Sequence, residues 1–213
     1  MNENLISITE SVSVNFADYI RQKKNITKLH IGDPDFKTHP NILIESTKTL
    51  NSDRISYGSS RGLKSLRNEL SFKLLNENNI FTNPDENILI THGAVHAVNI
   101  AIKAILNQGD ECIIIEPYWL AYRNNVILAG GKPIIIKNNG KFDLDVDEIK
   151  KYINKKTKLI IINSPNNPSG SVYNKLKLKE LGKIAKENNL FVLSDEVYES
   201  IVFDKNVDRK SVV

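Results

Sequence analysis

From residue 88 onward, short apolar runs alternate with segments in which apolar residues recur at helical spacing. The runs are rich in Ile, Leu and Val and show no polar alternation, which indicates strands that are buried on both faces. Such strands are typical of a parallel sheet that is covered by helices. The predicted strands are 88–91, 112–115, 133–137, 158–163 and 190–195.

The segments between these strands predict the covering helices. Leu178, Leu181 and Ala185, for example, recur at a spacing that puts them on one helix face. The alternation predicts an α/β fold, in which a layered, mostly parallel sheet carries helices on both faces and has right-handed crossovers. The predicted helices are 94–106, 120–129, 145–153 and 175–187, preceded by helices at 6–22, 41–50 and 63–77.

Composition excludes several classes of protein. The chain has 213 residues, of which 40% are hydrophobic and 25% charged, as expected of a globular protein with one domain or slightly more. No apolar run approaches the roughly 20 residues that span a bilayer, so no membrane partner is expected. The net charge of +4 includes no dense basic block, which argues against nucleic acid as a partner.

The cysteine and histidine residues bear on compartment and metal content. The single cysteine, Cys112, excludes an intramolecular disulfide framework and fits the reducing cytoplasm. The N-terminus lacks the basic and apolar regions of a signal peptide. The four histidines have no Cys or His partners at zinc-binding spacing, so we expect no metal site.

Two motifs follow the last two predicted strands. Residues 163–170 read Asn-Ser-Pro-Asn-Asn-Pro-Ser-Gly, a polar loop whose two prolines fix the backbone. Asp195 ends the next strand, and Tyr198 follows it. A carboxylate at the end of a buried strand needs a cationic or hydrogen-bonding partner to offset its desolvation. Taken singly, the loop also fits an ordinary turn, and Asp195 fits a helix cap or a surface acid.

Together these motifs resemble the cofactor site of class I/II pyridoxal-phosphate-dependent aminotransferases, the aspartate aminotransferase superfamily. The resemblance implies that Asn167 hydrogen-bonds the phenolic oxygen of pyridoxal 5'-phosphate. It implies that Asp195 pairs with the pyridine nitrogen and that Tyr198 reaches the phenolic oxygen from the other side. Asp195 and Tyr198 are therefore the predicted catalytic residues.

Further cofactor contacts are implied upstream. Gly93, Ala94 and Val95 follow a predicted strand and open a helix, where free N–H groups and the helix dipole suit a phosphate. The resemblance makes these three residues phosphate binders. It also makes Trp119 the aromatic that stacks on the cofactor ring, whereas on residues alone Trp119, Tyr118 and Tyr122 fit ordinary core packing.

Two loops near the N-terminus extend the resemblance. Gly32 matches a loop that closes over the substrate carboxylate, and the implied substrate contacts are Gly32, Trp119 and Asn167. Tyr57 matches a tyrosine that reaches the phosphate of the other subunit, which implies a homodimer. Each loop also fits a plain turn. The ordered motifs cover nearly the whole chain before its last residues.

The implied function is transfer of an amino group between an L-amino acid and a 2-oxo acid in cytoplasmic amino-acid metabolism and biosynthesis. In the family, the Schiff-base lysine lies tens of residues beyond the position of Tyr198. Here Lys205 comes too soon, and Lys210 lies in a doubtful tail. We therefore expect an N-terminal fragment that is itself inactive. The alternatives are a β-lyase of the same superfamily and a non-catalytic cofactor-binding remnant.

The resemblance also suggests a domain organisation. Residues 1–45 are predicted to form an N-terminal arm and a segment of the small domain. Residues 46–207 are predicted to form an incomplete large cofactor-binding domain. Residues 208–213 match a translation of sequencing-adapter DNA and are predicted to be a non-native tail.

Overall fold

The computed structural model describes residues 36–52, 57–138, 140, 142–203 and the isolated positions 8, 16, 19–21, 23, 25–27 and 32. The chain divides into two compact units. One comprises Glu10–Ser60, and the other comprises Met1–Thr9 with Arg61–Val213. The predicted domain boundaries remain predictions, and the predicted tail at 208–213 lies outside the described residues.

A four-stranded parallel sheet forms the centre of the larger unit. Its strands lie in the order β2-β1-β3-β4, and each neighbouring pair is parallel. Their bounds are β1 Glu111–Ile115, β2 Lys132–Ile136, β3 Thr157–Asn163 and β4 Phe191–Asp195. This sheet, with the helices that cover it, confirms the predicted α/β fold.

Six helices lie wholly in the described part of the chain. Their bounds are α1 Pro40–Ser52, α2 Lys64–Asn78, α3 Ala94–Ile105, α4 Leu120–Leu128, α5 Val146–Tyr152 and α6 Lys175–Glu187. They agree with the predicted ranges within two residues. The predicted helix at 6–22 lies mostly outside the described residues. None of the described helices is long and apolar enough to cross a membrane.

The core has one layer on each face of the sheet. Ile113 and Ile115 of β1 pack in the layer under α5 and α6, where Ile149 and Leu181 are also buried. The intervening β1 residues Cys112 and Ile114 pack in the opposite layer, and its other buried members are Val98, Ile102, Leu106, Tyr122, Val126, Leu159 and Ile161. Because both faces are buried, these strands need apolar residues at successive positions.

The prediction of a strand at 88–91 was wrong. Ile88 is buried, but Leu89 is half exposed, and no strand is formed there. The Ile90 N–H donates to the Arg61 carbonyl at 3.0 Å, and the Ile90 side chain packs on Gly62, where no room is left for a Cβ atom. Ile90 therefore packs against a turn rather than in a strand ladder, so the apolar run reflects local packing and not strand pairing.

Arg67 of α2 joins that turn to the segment before α3. The residue is 5% exposed, and its guanidinium donates to the Gly62 carbonyl at 3.3 Å and to the Pro84 carbonyl at 2.5 Å. It also pairs with a carboxylate oxygen of Asp85 at 2.8 Å. Hydrogen bonds from Arg67 and then from Lys64 hold the pKa of Asp85 below its usual value. The buried guanidinium thus acts as hydrogen-bond donor to two part-buried backbone carbonyls.

Replacing Arg67 by Met should strongly destabilise the chain. The two carbonyls would lose their donor, which we expect to cost roughly 2–4 kcal/mol of unfolding free energy. Urea denaturation followed by circular dichroism measures this change. Lys64→Met is the matched control because Lys64 also pairs with Asp85, at 3.0 Å, but its side chain is 67% exposed. Equal losses in the two variants would contradict the role given to Arg67.

Candidate functional site

The carboxyl ends of β1, β3 and β4 lie side by side because these strands are parallel neighbours. Asn163 and Asp195, the last residues of β3 and β4, are register partners. The Asn166 carboxamide donates to the Pro117 carbonyl at 3.2 Å and so links the loop after β3 to the loop after β1. The structure therefore brings to one edge of the sheet the three segments in which Trp119, the 163–170 loop and Asp195 were predicted to act.

Asp195 is the buried acid at this edge. It is 9% exposed, and both of its carboxylate oxygens accept hydrogen bonds. The Tyr122 hydroxyl donates to Oδ2 at 2.6 Å, and the Val197 N–H donates to Oδ1 at 3.2 Å. The two donors, one from α4 and one from the turn after β4, fix the orientation of the carboxylate.

Tyr122 is a site residue that the sequence did not reveal. It is 2% exposed, and burial, then the hydrogen bond to Asp195, raise the pKa of its phenol. The hydroxyl therefore remains a donor throughout the physiological pH range. The sequence signal that could have identified Tyr122 is its spacing from Trp119. Tyr122 lies three residues later at the start of a helix, where residues three apart are neighbours. Their rings contact edge to face, with centroids 5.5 Å apart.

The loop after β3 is organised by two asparagine side chains. Asn163 is 3% exposed, and its Oδ1 accepts from the Asn167 N–H at 2.6 Å while its Nδ2 donates to the Asp195 carbonyl at 2.9 Å. Asn166 is 6% exposed, and its Oδ1 accepts from the Ser169 hydroxyl at 2.8 Å. Asn167 itself is half-buried, and within the described part of the chain only its backbone takes part in a hydrogen bond.

Tyr198 lies in the turn that follows Asp195, and this turn is anchored to α2. Glu199 accepts hydrogen bonds from Lys73 and, at 3.2 Å, from Asn78. Burial alone would raise the pKa of Glu199, but the bonds from Lys73 and Asn78 outweigh it and lower that pKa. Glu199 is thus held as a carboxylate, and its contacts fix the backbone that carries Tyr198.

The segment Gly93–Val95 opens α3. Gly93 has a φ of 84°, which favours glycine, and it is exposed together with Ala94 and Val95. The first N–H groups of a helix have no acceptor within the helix, so this end suits an anion. α3 packs against α4 and β4, in the same unit as Asp195. The phosphate-binding role of the segment remains a prediction.

Trp119 is partly buried at the start of α4 and packs against the apolar layer that contains Tyr122. Part of the Trp119 side chain therefore packs in the core, as the residues alone indicated. Its stacking role on the cofactor remains a prediction. Gly32 and Tyr57 belong to the unit Glu10–Ser60, so their site roles also remain predictions. Among the described residues, no group of three or more His, Cys, Asp or Glu side chains is placed to hold a metal ion.

The sequence matches the model of a known protein family. The family model described as aminotransferase class I and II matches residues 24–212, which is most of the chain. The chain belongs to this aminotransferase family. All motifs on which the predicted resemblance depends, from Gly32 to Tyr198, lie within the matched residues.

Individual aminotransferases resemble the chain over nearly its full length. Aspartate aminotransferase of Pyrococcus abyssi is 39% identical over 96% of this chain, which corresponds to 53% of that protein. The structure of Thermus thermophilus aspartate aminotransferase with maleate has a TM-score of 0.90 and 30% identity, and the match covers 96% of this chain and 55% of that one. An aromatic aminotransferase structure from Pyrococcus horikoshii has a TM-score of 0.85 and 36% identity, over 94% and 53%. The chain thus spans about half the length of the relatives it matches.

Tyr173 supports the aminotransferase loop from the core side. It is 6% exposed, and its N–H donates to the Ser164 hydroxyl at 3.0 Å. Burial and then the nearby charge of Asp143 raise the pKa of Tyr173 to about 12, although a hydrogen bond with Asn166 acts in the opposite direction. The folded state therefore favours the protonated phenol.

This shift predicts a loss of stability at alkaline pH. The contribution of Tyr173 is fully present below pH 10, the ordinary tyrosine pKa, and is lost as pH rises from there towards about 12. We expect the difference in unfolding free energy between wild type and Tyr173→Phe to be constant from pH 7 to 9. Above pH 10 the wild type should lose unfolding free energy relative to Tyr173→Phe, by up to about 1.4 kcal/mol per pH unit.

Urea denaturation of both proteins at each pH measures the difference. The other tyrosines and the lysines titrate in both proteins, so the comparison isolates Tyr173. Curves that remain parallel up to pH 12 would contradict the shift.

Proposed function

We propose that this chain is the cofactor-binding part of a pyridoxal-phosphate-dependent aminotransferase that transfers an amino group between an L-amino acid and a 2-oxo acid. The observation that carries the proposal is the buried Asp195 carboxylate, oriented by Tyr122 and Val197 beside the 163–170 loop. A carboxylate held in this way favours a cationic partner. Family membership supports the same reaction.

The residues at the sheet edge fit the cofactor by type. Asp195 suits a protonated ring nitrogen, and the Asn167 carboxamide and Tyr198 phenol suit a phenolic oxygen. The Asn167 carboxamide makes no hydrogen bond with the described residues, so it is available to a ligand. Gly93 leaves open space around its Cα, since a Cβ built there would meet nothing within 4 Å. Gly93–Val95 would hold the phosphate.

Each residue has a distinct task in the proposed reaction. Pyridoxal 5'-phosphate, when bound, supplies an electron sink for the carbanion formed at the substrate α-carbon. Asp195 holds a proton on the ring nitrogen because its negative charge stabilises the cationic form. Tyr122 orients that carboxylate. Trp119 would cover one ring face and exclude water, while Asn167 and Tyr198 fix the phenolic oxygen.

The substrate proposal rests on relatives and on the segment Pro117–Tyr122. That segment resembles the aspartate and aromatic branch of the family, and the relatives reported above are named for aspartate or aromatic substrates. We therefore propose aspartate or an aromatic amino acid as amino donor, with Gly32, Trp119 and Asn167 in contact with the substrate. The same relatives are all named aminotransferases, which favours this reaction over the β-lyase alternative.

The proposed assembly is a cytoplasmic homodimer. Tyr57 is fully exposed and would reach the phosphate held by a partner subunit. Burial raises the pKa of the Cys112 thiol, which makes it an inert core residue of the kind found in reducing compartments. We propose that neither Lys205 nor Lys210 binds the cofactor covalently, so this chain would bind pyridoxal phosphate without a covalent bond.

Asp195→Asn should weaken pyridoxal phosphate binding by about ten-fold or more, because a neutral carboxamide does not stabilise a ring cation. Trp119 is the single tryptophan, so quenching of its fluorescence measures the affinity. Asp147→Asn is the matched control, since Asp147 lies on α5 and pairs with Lys150 at 2.9 Å. Absence of quenching in the wild type, or equal affinities in all three proteins, would contradict the proposal.

The reaction type is tested by product analysis. The 213-residue chain with pyridoxal phosphate should form no glutamate from L-aspartate or L-tyrosine and 2-oxoglutarate above the Asp195→Asn background. A longer form of the protein that carries a cofactor-binding lysine should form glutamate. Ammonia and pyruvate released from a β-substituted amino acid would instead support the β-lyase alternative. Cofactor binding without turnover in that longer form would support the non-catalytic one.

A further inference from the structure

We propose that Asn163 is a positioning residue whose single carboxamide fixes Asn167 and Asp195 relative to each other. This inference rests on the proposed function, because Asn167 and Asp195 are the residues assigned to the phenolic oxygen and the ring nitrogen. The two hydrogen bonds of the Asn163 side chain, to the Asn167 N–H and to the Asp195 carbonyl, are called the Asn163 bridge below.

The Asn163 bridge lies where the sheet ends. Asn163 and Asp195 form the last register pair of β3 and β4, and beyond them the Ser164 N–H donates to the Asp195 carbonyl at 3.2 Å. That carbonyl therefore accepts both the Ser164 N–H and, at 2.9 Å, the Asn163 side chain. The bridge continues strand-to-strand hydrogen bonding past the last residue pair, to the point at which both chains turn into the site.

The other end of the bridge holds the loop. The Asn163 Oδ1 accepts from the Asn167 N–H at 2.6 Å, four residues further along the chain. The residue that presents its carboxamide to the site is thus fixed through its own backbone. Because one rigid, planar group makes both contacts, a displacement of Asn167 from Asp195 must break at least one of them.

The chemistry of the bridge requires a carboxamide. Asn163 is 3% exposed, so both of its polar atoms need partners within the protein. One atom must donate and the other must accept, and a carboxamide provides both in one plane. Leucine has a similar size but offers neither group. An ionised aspartate accepts from Asn167 but places an oxygen against the Asp195 carbonyl.

Amide hydrogen exchange measured by NMR tests the bridge directly. In Asn163→Leu we expect the Asn167 N–H to exchange at least about ten-fold faster than in wild type, because its acceptor is removed. We expect the Val197 N–H, which donates to the Asp195 side chain, to exchange faster as well. The Ile160 and Ile161 amides within β3 should be unchanged.

Asn163→Asp separates the two ends of the bridge. The acceptor for Asn167 remains, so its amide should stay protected, while loss of the donor to Asp195 should speed exchange at Val197. This variant also decides the question if Asn163→Leu fails to fold. Asn174→Ala is the matched control, because it removes the contact of its Oδ1 with the Leu176 N–H, 2.8 Å long, at the start of α6. It should lower the melting temperature and leave the Asn167 and Val197 amides unchanged.

Pyridoxal phosphate affinity, followed through Trp119 fluorescence, tests the consequence for the site. Both Asn163 variants should bind about ten-fold more weakly than Asn174→Ala. If the wild type binds and the Asn163 variants bind equally well, the inference is overturned and the proposed function stands. If the wild type does not bind, the proposed function fails, while the exchange rates of Asn167 and Val197 still decide whether the bridge fixes the two residues. Unchanged exchange at both amides overturns the inference in either case.

Discussion

The site is organised around one buried carboxylate. Removing an ionised group from water is costly unless hydrogen bonds and opposite charge replace the lost hydration. The Asp195 carboxylate accepts hydrogen bonds from the Tyr122 hydroxyl of α4 and from the Val197 N–H of the turn after β4. Its backbone carbonyl accepts a hydrogen bond from the Asn163 side chain. Three separate elements are therefore committed to this acid. A position that only stabilised the fold would be occupied at lower cost by an apolar residue.

The parallel sheet makes this concentration of polar groups possible. Its strands are buried on both faces by two apolar layers, so their carboxyl ends are held in a fixed order. The polar loops then begin from neighbouring points and contact one another through hydrogen bonds, as Asn166 does with Pro117. Ligand sites at the carboxyl ends of parallel strands follow from the same geometry.

The fold could be predicted because its strands and helices differ in periodicity. The strand at 88–91 was predicted wrongly because an apolar run reports burial and does not report whether a neighbouring strand offers hydrogen bonds. Asp195 was identifiable since an acid at the end of a buried strand is costly. Tyr122 was not identified as a site residue, because its hydrogen-bond partner Asp195 lies 73 residues further along the chain. Asn163 belonged to a recognised motif, but its two contacts depend on how β3 and β4 align.

β4 is the outermost strand of the described sheet and pairs only with β3 among the described residues. Its first residue, Phe191, is 61% exposed, and its last is Asp195. An outer strand separates from its sheet more readily than a central one, since half of its backbone groups lack a partner strand. The order of the acid proposed to hold a proton on the ring nitrogen is therefore expected to depend on the pairing of β4 with β3. A polypeptide that paired along the side of β4 away from β3 would stabilise the strand that carries this acid.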